Sequence, residues 1–180
     1  MNIGFDLDKI FIDNPPFIPL SLINALYGEH SNGHLSYRIP GKIEQYIRKL
    51  SHAPFFRPPI KENIALLGKY AQHKKNFFLI SSRFGFLTKE TNKIIKINHL
   101  NTLFSSMTFN PKNEQPHFFK DRIITKQHID IFIDDDLPLL RFLAPRHPQI
   151  SFFWFNKNIH KKINNSIQAI TRLDRIFENI

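Results

Sequence analysis

The chain has 180 residues, enough for one domain with a full hydrophobic core and a small inserted lobe. It is 42% hydrophobic and 22% charged, which is typical of a globular protein, and its lack of cysteine excludes disulfides, thiolate zinc sites and cysteine nucleophiles. The formal net charge of +10 leaves two interpretations open, an anionic partner or a general enrichment in lysine.

The N-terminus does not have the pattern of a secretory signal peptide. It lacks a basic leading segment, and Asp6 and Asp8 interrupt its apolar run. No stretch of the sequence approaches the roughly 18 apolar residues that a membrane-spanning helix needs. We therefore expect a cytoplasmic protein.

The first part of the chain predicts one strand followed by a mostly helical insert. Residues 2–6 have the length of a short buried strand, whereas 14–75 hold most of the prolines and show no strong strand signal. Helices are predicted within this insert over 21–28, 39–50 and 60–72. The helix over 39–50 has four apolar residues on one face: Ile43, Tyr46, Ile47 and Leu50.

The rest of the chain alternates between strand and helix patterns. Strands are predicted over 76–81, 102–110, 129–134 and 150–156, and helices over 86–97, 116–128 and 137–144. In the tail, isoleucines and one leucine, Leu173, spaced by three or four from Ile159 to Ile176 predict an amphipathic helix. We expect this helix to pack on its own domain, with a membrane surface or a partner's groove as the alternatives. The alternation predicts a three-layer α/β fold, a Rossmann-like parallel sheet covered on both faces.

Polar side chains stand where three of these strands end, and a lysine begins the helix before one of them. These residues are Asp6 and Asp8, then Ser81, Ser82 and Arg83, then Lys120, and then Asp134 and Asp135. Ligands of open parallel sheets bind outside the carboxyl ends of the strands. Clustered carboxylates need a cation, and their hard oxygen ligands suit Mg²⁺.

Four stretches in this order resemble the motifs of the haloacid dehalogenase-like (HAD) superfamily of phosphatases and phosphotransferases. They are FDLDKIFID, FFLISSR, the segment that begins FFKDRIITK, and IFIDD. The resemblance is nearest to 5′-nucleotidase- and deoxyribonucleotidase-like members, which carry a small helical cap of the C1 type after the first motif. It implies a core of 1–13 and 76–180, with the cap formed by 14–75.

The resemblance also implies an activity, Mg²⁺-dependent hydrolysis of a small phosphorylated metabolite, with nucleotides among the candidates. Asp6 would be the nucleophile and Asp8 the general acid and base. Ser81 would hydrogen-bond the phosphoryl group, and Lys120 would neutralise its charge.

The metal ligands implied by the resemblance come from the first and fourth motifs. Mg²⁺ would be held by Asp6, the backbone carbonyl of Asp8 and Asp134, with Asp135 assisting from the outer shell. Ser82, Arg83 and Arg57 are candidates for binding substrate; Arg57 lies in the rigid FFRPPI loop, where a fixed guanidinium suits phosphate.

Three points stay open from the sequence alone. Lys9 stands where the family has glycine, which suits a special backbone turn. Ser82 competes with Ser81, and Lys126 with Lys120, for the roles in the second and third motifs. Because of Lys9 and the net charge, the alternative function is a catalytically weak HAD-fold module that binds an anionic partner, a nucleic acid or a protein.

Overall fold

The computed structural model describes residues 1–16, 35–71, 76–157 and 166–177. Within these residues the chain forms one six-stranded sheet in which every neighbouring pair of strands is parallel. The strands are β1 (Asn2–Phe5), β2 (Asn76–Phe84), β3 (Ser106–Asn110), β4 (Ile131–Asp134), β5 (Ser151–Phe155) and β6 (Ile167–Ile170). Their spatial order is β3-β2-β1-β4-β5-β6, which puts β1 between β2 and β4 at the centre.

Along the chain, most of the helices lie between successive strands. They are α1 (Lys42–Ser51), α2 (Lys61–Ala71), α3 (Thr88–Ile97), α4 (Pro116–Lys126), α5 (Leu137–Leu143) and α6 (Asp174–Phe177), with 3-10 turns at Pro54–Phe56, Gly85–Leu87 and Leu100–Thr102. Proline begins α4, where its missing N–H costs no hydrogen bond. Asp136 caps α5, since its Oδ1 accepts a hydrogen bond from the N–H of Leu139 at 3.1 Å.

Hydrophobic residues are buried on both faces of the sheet. Along β4, Ile131 and Ile133 belong to one buried cluster, which also includes residues of α2 and α3, while Phe132 belongs to a second cluster with α4 and α5. Successive side chains of a strand point to opposite faces, so the two clusters are two layers of core. The predicted three-layer α/β fold is confirmed.

The tail contradicts its predicted amphipathic helix. Residues 167–170 form β6, which pairs in parallel with β5, and the short α6 follows. Ile167 and Ile170 are buried, with two exposed residues between them, so the same spacing serves an edge strand. The exposed edge of β5 offers backbone hydrogen bonds that override the helical pattern. Ile159 and Ile163 lie outside the described residues.

The insert contains two of its three predicted helices among the described residues, α1 and α2. The predicted helix over 21–28 lies outside them. The four apolar residues of α1 share a face as predicted, yet all four are exposed, and Arg48 on the same helix is buried. Leu67 of α2 packs in the same buried cluster as β1 and β2. The division into a core and a cap at residue 75 stays a prediction.

Among the described residues, no helix combines the length and the apolar character needed to cross a membrane.

Candidate functional site

A cavity of about 660 Å³ opens at the carboxyl ends of the central strands. Its lining includes every residue to which the sequence assigned a place in the site: Asp6, Asp8, Arg57, Ser81, Ser82, Arg83, Lys120, Asp134 and Asp135. Segments more than 100 residues apart in the chain thus supply one cavity, because β1, β2 and β4 are neighbours and end on the same side.

The floor of the cavity is a buried cluster of two carboxylates around one ammonium. Lys120 Nζ donates to Asp6 Oδ1 at 2.7 Å and to Asp134 Oδ2 at 2.6 Å. Burial raises the pKa of Asp6 and raises that of Asp134 well above its ordinary value, although Lys120 opposes both shifts. Burial alone would lower the pKa of Lys120, but Asp134 and Asp6 outweigh it and raise that pKa. Lys126, the competing lysine, is exposed.

A third carboxylate completes a candidate cation site. One oxygen from each of Asp6, Asp134 and Asp135 lies within 4.8 Å of the others. Burial, together with the charge of Asp6, raises the pKa of Asp135 to about 6, even though Lys9 opposes this. Three converging carboxylates are the hard oxygen donors that Mg²⁺ prefers.

Lys9 occupies the position where the family resemblance would place glycine. The backbone conformation of Lys9 explains why glycine would be favoured there. Its φ of 55° lies in the left-handed region. The turn is closed by hydrogen bonds from the N–H of Lys9 to the Ile12 carbonyl at 2.7 Å and from the N–H of Phe11 to the Leu7 carbonyl at 3.1 Å. The Lys9 side chain reaches Asp135, with Nζ 2.6 Å from Oδ2. This contact with a candidate metal ligand was not predicted.

Asp8 is held by two arginines. Arg83 donates from Nε to Oδ2 at 2.8 Å and from Nη2 to Oδ1 at 2.6 Å, and Arg57 Nη2 also donates to Oδ1. Burial would raise the pKa of Asp8, but the charges of Arg83 and Arg57 outweigh it and hold that pKa far below its usual range. Asp8 is therefore ionised at neutral pH. We name this arrangement of Asp8, Arg57 and Arg83 the arginine clamp.

Arg57 is positioned by a loop that is tied to the turn after β1. The N–H of Asp13 donates to the Pro58 carbonyl at 2.8 Å, and the N–H of Ile60 donates to the Phe11 carbonyl at 2.7 Å. These bonds fix both sides of Pro58 and Pro59, so the guanidinium of Arg57 is delivered from a rigid loop.

The second-motif serines differ in burial. Ser81 is buried and Ser82 is partly buried, and both line the cavity. Ser81 Oγ accepts a long hydrogen bond of 3.5 Å from the N–H of Arg83. Either hydroxyl is therefore close enough to the cavity to contact a ligand.

Several lining residues escaped the sequence analysis. Tyr37 donates from its hydroxyl to Asp136 Oδ2 at 2.5 Å, and Trp154 donates from Nε1 to the Asp135 carbonyl at 2.9 Å. Trp154 stands near the carboxyl end of β5, so the strand-end rule could have identified it. Tyr37 and Arg48 carry no comparable signal, since both come from the insert.

No protein-family model and no curated protein sequence matches the chain. Solved structures do. A HAD-superfamily hydrolase from Ehrlichia chaffeensis superimposes with a TM-score of 0.57 at 13% identity, covering 99% of this chain and 94% of that one. A haloacid dehalogenase-like hydrolase from Streptococcus pneumoniae gives 0.57 at 12% identity, with 99% and 98% covered.

A third similar structure is D,D-heptose 1,7-bisphosphate phosphatase from B. bronchiseptica, complexed with magnesium and phosphate. Its TM-score is 0.58 at 10% identity, and both chains are covered over 100% of their length. At such identities the likeness concerns the fold, and the chain has the fold of HAD-superfamily hydrolases. The nucleotidase-like subgroup and the C1 cap stay predictions.

Proposed function

We propose that this chain is a Mg²⁺-dependent phosphomonoesterase that acts on a small phosphorylated metabolite through an aspartyl-phosphate on Asp6. The observation that carries the proposal is the buried cluster of Asp6, Asp134 and Lys120 at the carboxyl ends of β1 and β4. Raised carboxyl pKa values and a buried ammonium in one cavity are typical of sites that handle charged substrates.

The donor set at the floor of the cavity fits Mg²⁺. Asp6, Asp134 and Asp135 would hold the ion, with the backbone carbonyl of Asp8 as a further oxygen. When bound, the ion supplies positive charge that lets an anionic carboxylate approach an anionic phosphate.

Asp6 is placed to act as the nucleophile. Its two oxygens accept hydrogen bonds from Lys120 Nζ at 2.7 Å and from the N–H of Asp8 at 2.8 Å, and these bonds orient the carboxylate. An Asp6 oxygen would form a bond to phosphorus as the bond to the leaving oxygen breaks. Lys120 and the hydroxyl of Ser81 would stabilise the charge on the phosphoryl oxygens.

Asp8 would have to loosen its arginine contacts in the second step, because the arginines lower its pKa and make it a weak base. Once one of its oxygens is released, the carboxylate can take a proton from the water that hydrolyses the aspartyl-phosphate. Protonating the leaving oxygen in the first step requires Asp8 to release at least one of its two arginines, because both oxygens of Asp8 are engaged in the arginine clamp.

The test is release of inorganic phosphate from p-nitrophenyl phosphate and from a panel of phosphorylated metabolites, with and without Mg²⁺. We expect Mg²⁺-dependent turnover that Asp6→Asn abolishes. Asp13→Asn is the matched control, because Asp13 follows the same strand but its partly exposed carboxylate pairs with Lys157 outside the cavity. Equal turnover by the Asp6→Asn and unmodified proteins would refute the role of Asp6.

The alternative function is a catalytically weak module that binds an anionic partner. Two observations favour it: Lys9 is bonded to a candidate metal ligand, and both oxygens of Asp8 are held by arginines. A folded protein without turnover on the whole panel, but with nucleic-acid affinity that falls steeply with salt, would support this function over the phosphatase.

A further inference from the structure

Two buried guanidinium groups share one carboxylate in the cavity. The side chains of Arg57 and Arg83 are each only 5% exposed, and both donate to the same oxygen of Asp8, Oδ1. An arginine carries five N–H donors arranged in a fork that matches a carboxylate or a phosphate. Arg83 uses its fork on both oxygens of Asp8 and also donates from Nη1 to Thr91 Oγ1 at 3.2 Å. Arg57 is therefore the member of the pair with donors for a ligand.

Arg57 in particular keeps donors that the described residues do not satisfy well. Its Nη1 lies 3.5 Å from Asn14 Oδ1, at the outer limit of a hydrogen bond. Its Nε is buried and has no hydrogen-bond partner among the described residues. A buried donor without an acceptor costs free energy, and a ligand that supplies the acceptor recovers that cost.

The clamp lies beside the candidate nucleophile. The N–H of Asp8 donates to Asp6 Oδ2 at 2.8 Å, so the carboxylate between the arginines belongs to the residue that also orients Asp6. Burial and the charges of Arg83 and Arg57 lower the pKa of the neighbouring His52 to about 3, which keeps this histidine neutral. A ligand at this part of the cavity would therefore meet cationic arginines and a neutral histidine. The same cavity is also lined by two further arginines, Arg38 and Arg48.

We propose that Arg57, next to Arg83, forms a subsite for a second oxyanion of the substrate, so that preferred substrates carry a carboxylate or a further phosphate besides the phosphoryl group delivered to Asp6. The proposal rests on the proposed function for the phosphoryl end alone. The incoming oxyanion takes over the guanidinium of Arg57, and Asp8 keeps Arg83 as its partner through two hydrogen bonds.

Binding to the Asp6→Asn protein in the presence of Mg²⁺ tests the subsite without turnover. Titration calorimetry compares 3-phosphoglycerate with glycerol 3-phosphate, which share three carbons and one phosphate but differ by a carboxylate. A second pair, fructose 1,6-bisphosphate and fructose 6-phosphate, separates a preference for phosphate from one for carboxylate. We expect the doubly anionic member of at least one pair to bind about tenfold more tightly, as one charge-assisted arginine contact implies.

Substitutions of Arg57 test whether the preference for doubly anionic ligands depends on this subsite. With Arg57→Met, the ratio of the two affinities should fall below about threefold. With Arg57→Lys, which keeps the charge that pairs with Asp8 but loses the fork, the ratio should also fall. Arg122→Met is the matched control, because Arg122 is an exposed arginine paired with Glu114 outside the cavity, and the ratio should persist. Thermal unfolding of each variant shows that it is folded, and if Arg57→Met does not fold, Arg57→Lys decides.

The outcomes separate the subsite from the phosphatase activity. Equal affinities within both pairs, or no binding of either doubly anionic ligand, would overturn the subsite, whatever turnover the unmodified protein shows. A ratio that survives both Arg57 substitutions would overturn it as well. Conversely, a preference that depends on Arg57, in a protein that hydrolyses nothing on the panel, would retain the subsite and reject the proposed function.

Discussion

Replacing Lys9 with glycine should strengthen Mg²⁺ binding. The Lys9 ammonium lies 2.6 Å from Asp135 Oδ2, on one of the three carboxylates that would hold the ion. A bound ion must therefore displace this ammonium or tolerate its charge. Lys9→Gly removes the charge and also places glycine at a residue whose φ is 55°.

The size of the effect follows from the charges. A unit charge about 4 Å from a divalent ion costs about 2 kcal/mol in water. The Lys9 side chain is 49% exposed and can turn away from Asp135, so part of this repulsion is avoided. We expect about 1.4 kcal/mol to remain, which is about a tenfold lower Kd for Mg²⁺.

Titration calorimetry of Mg²⁺ against the unmodified protein, Lys9→Gly and Lys9→Ala measures this directly. Lys9→Ala removes the same charge but keeps a side chain at the left-handed backbone, so both variants should bind Mg²⁺ equally well. Thermal unfolding should separate them, with glycine more stable by about 1 kcal/mol. Lys157→Ala is the matched control, since its partly exposed ion pair with Asp13 lies outside the cavity. If both Lys9 variants bind Mg²⁺ no more tightly than the unmodified protein, competition by Lys9 is refuted.

Three further predictions concern stability. The pKa of His52 is lowered from 6.5 to about 3, so the contribution of the neutral histidine to stability is complete above pH 6.5 and is lost as the pH falls. Between pH 6 and 4, the free energy of unfolding in urea should therefore fall by about 1 kcal/mol per pH unit more in the unmodified protein than in His52→Gln. Gly85→Ala would push a Cβ into the carbonyl of the loop after β3 and should destabilise by about 1–3 kcal/mol in urea unfolding. Gly68→Ala on α2, whose Cβ would make only an ordinary van der Waals contact with Leu103, should stabilise by about 0.5–1 kcal/mol. Lys120→Met leaves two buried carboxylates without their cation and should cost about 3–5 kcal/mol in the same assay, while Lys126→Met, on an exposed residue, should change little.

Each of these three predictions has a result that would contradict it. Identical pH slopes for the two proteins would show that His52 is protonated in the folded state. Equal stability of Gly85→Ala and Gly68→Ala would mean that the loop after β3 yields to the added methyl group. A folded Lys120→Met protein of unchanged stability would show that Asp6 and Asp134 are neutral without the lysine.

The strand framework could be predicted because it depends on local patterns. Five of the six strands lie where apolar runs of strand length predicted them, and the α/β class follows from their alternation with helices. β6 was missed because isoleucines at spacings of three and four fit a helix as well as an edge strand. Only the free edge of β5 decided between the two.

The place of the site could also be predicted, because parallel strands bring their carboxyl ends to one side. Asp6, Ser81 and Asp134 needed no more than that rule to be assigned to one cavity. The glycine expected in place of Lys9 was informative too, since the structure has a left-handed backbone there.

The partners of each side chain were decided only by the tertiary structure. Asp8 meets Arg57 and Arg83 across 49 and 75 residues of chain, and Lys9 meets Asp135 across 126. Such contacts depend on how the loops around Pro58 and after β1 pack against each other, and the hydrophobic periodicity of the sequence does not predict that packing. The sequence by itself thus determined which groups surround the cavity. The packing of distant loops decided which of these groups contact one another, because hydrogen bonds and charges act over a few ångströms of space, whatever the separation along the chain.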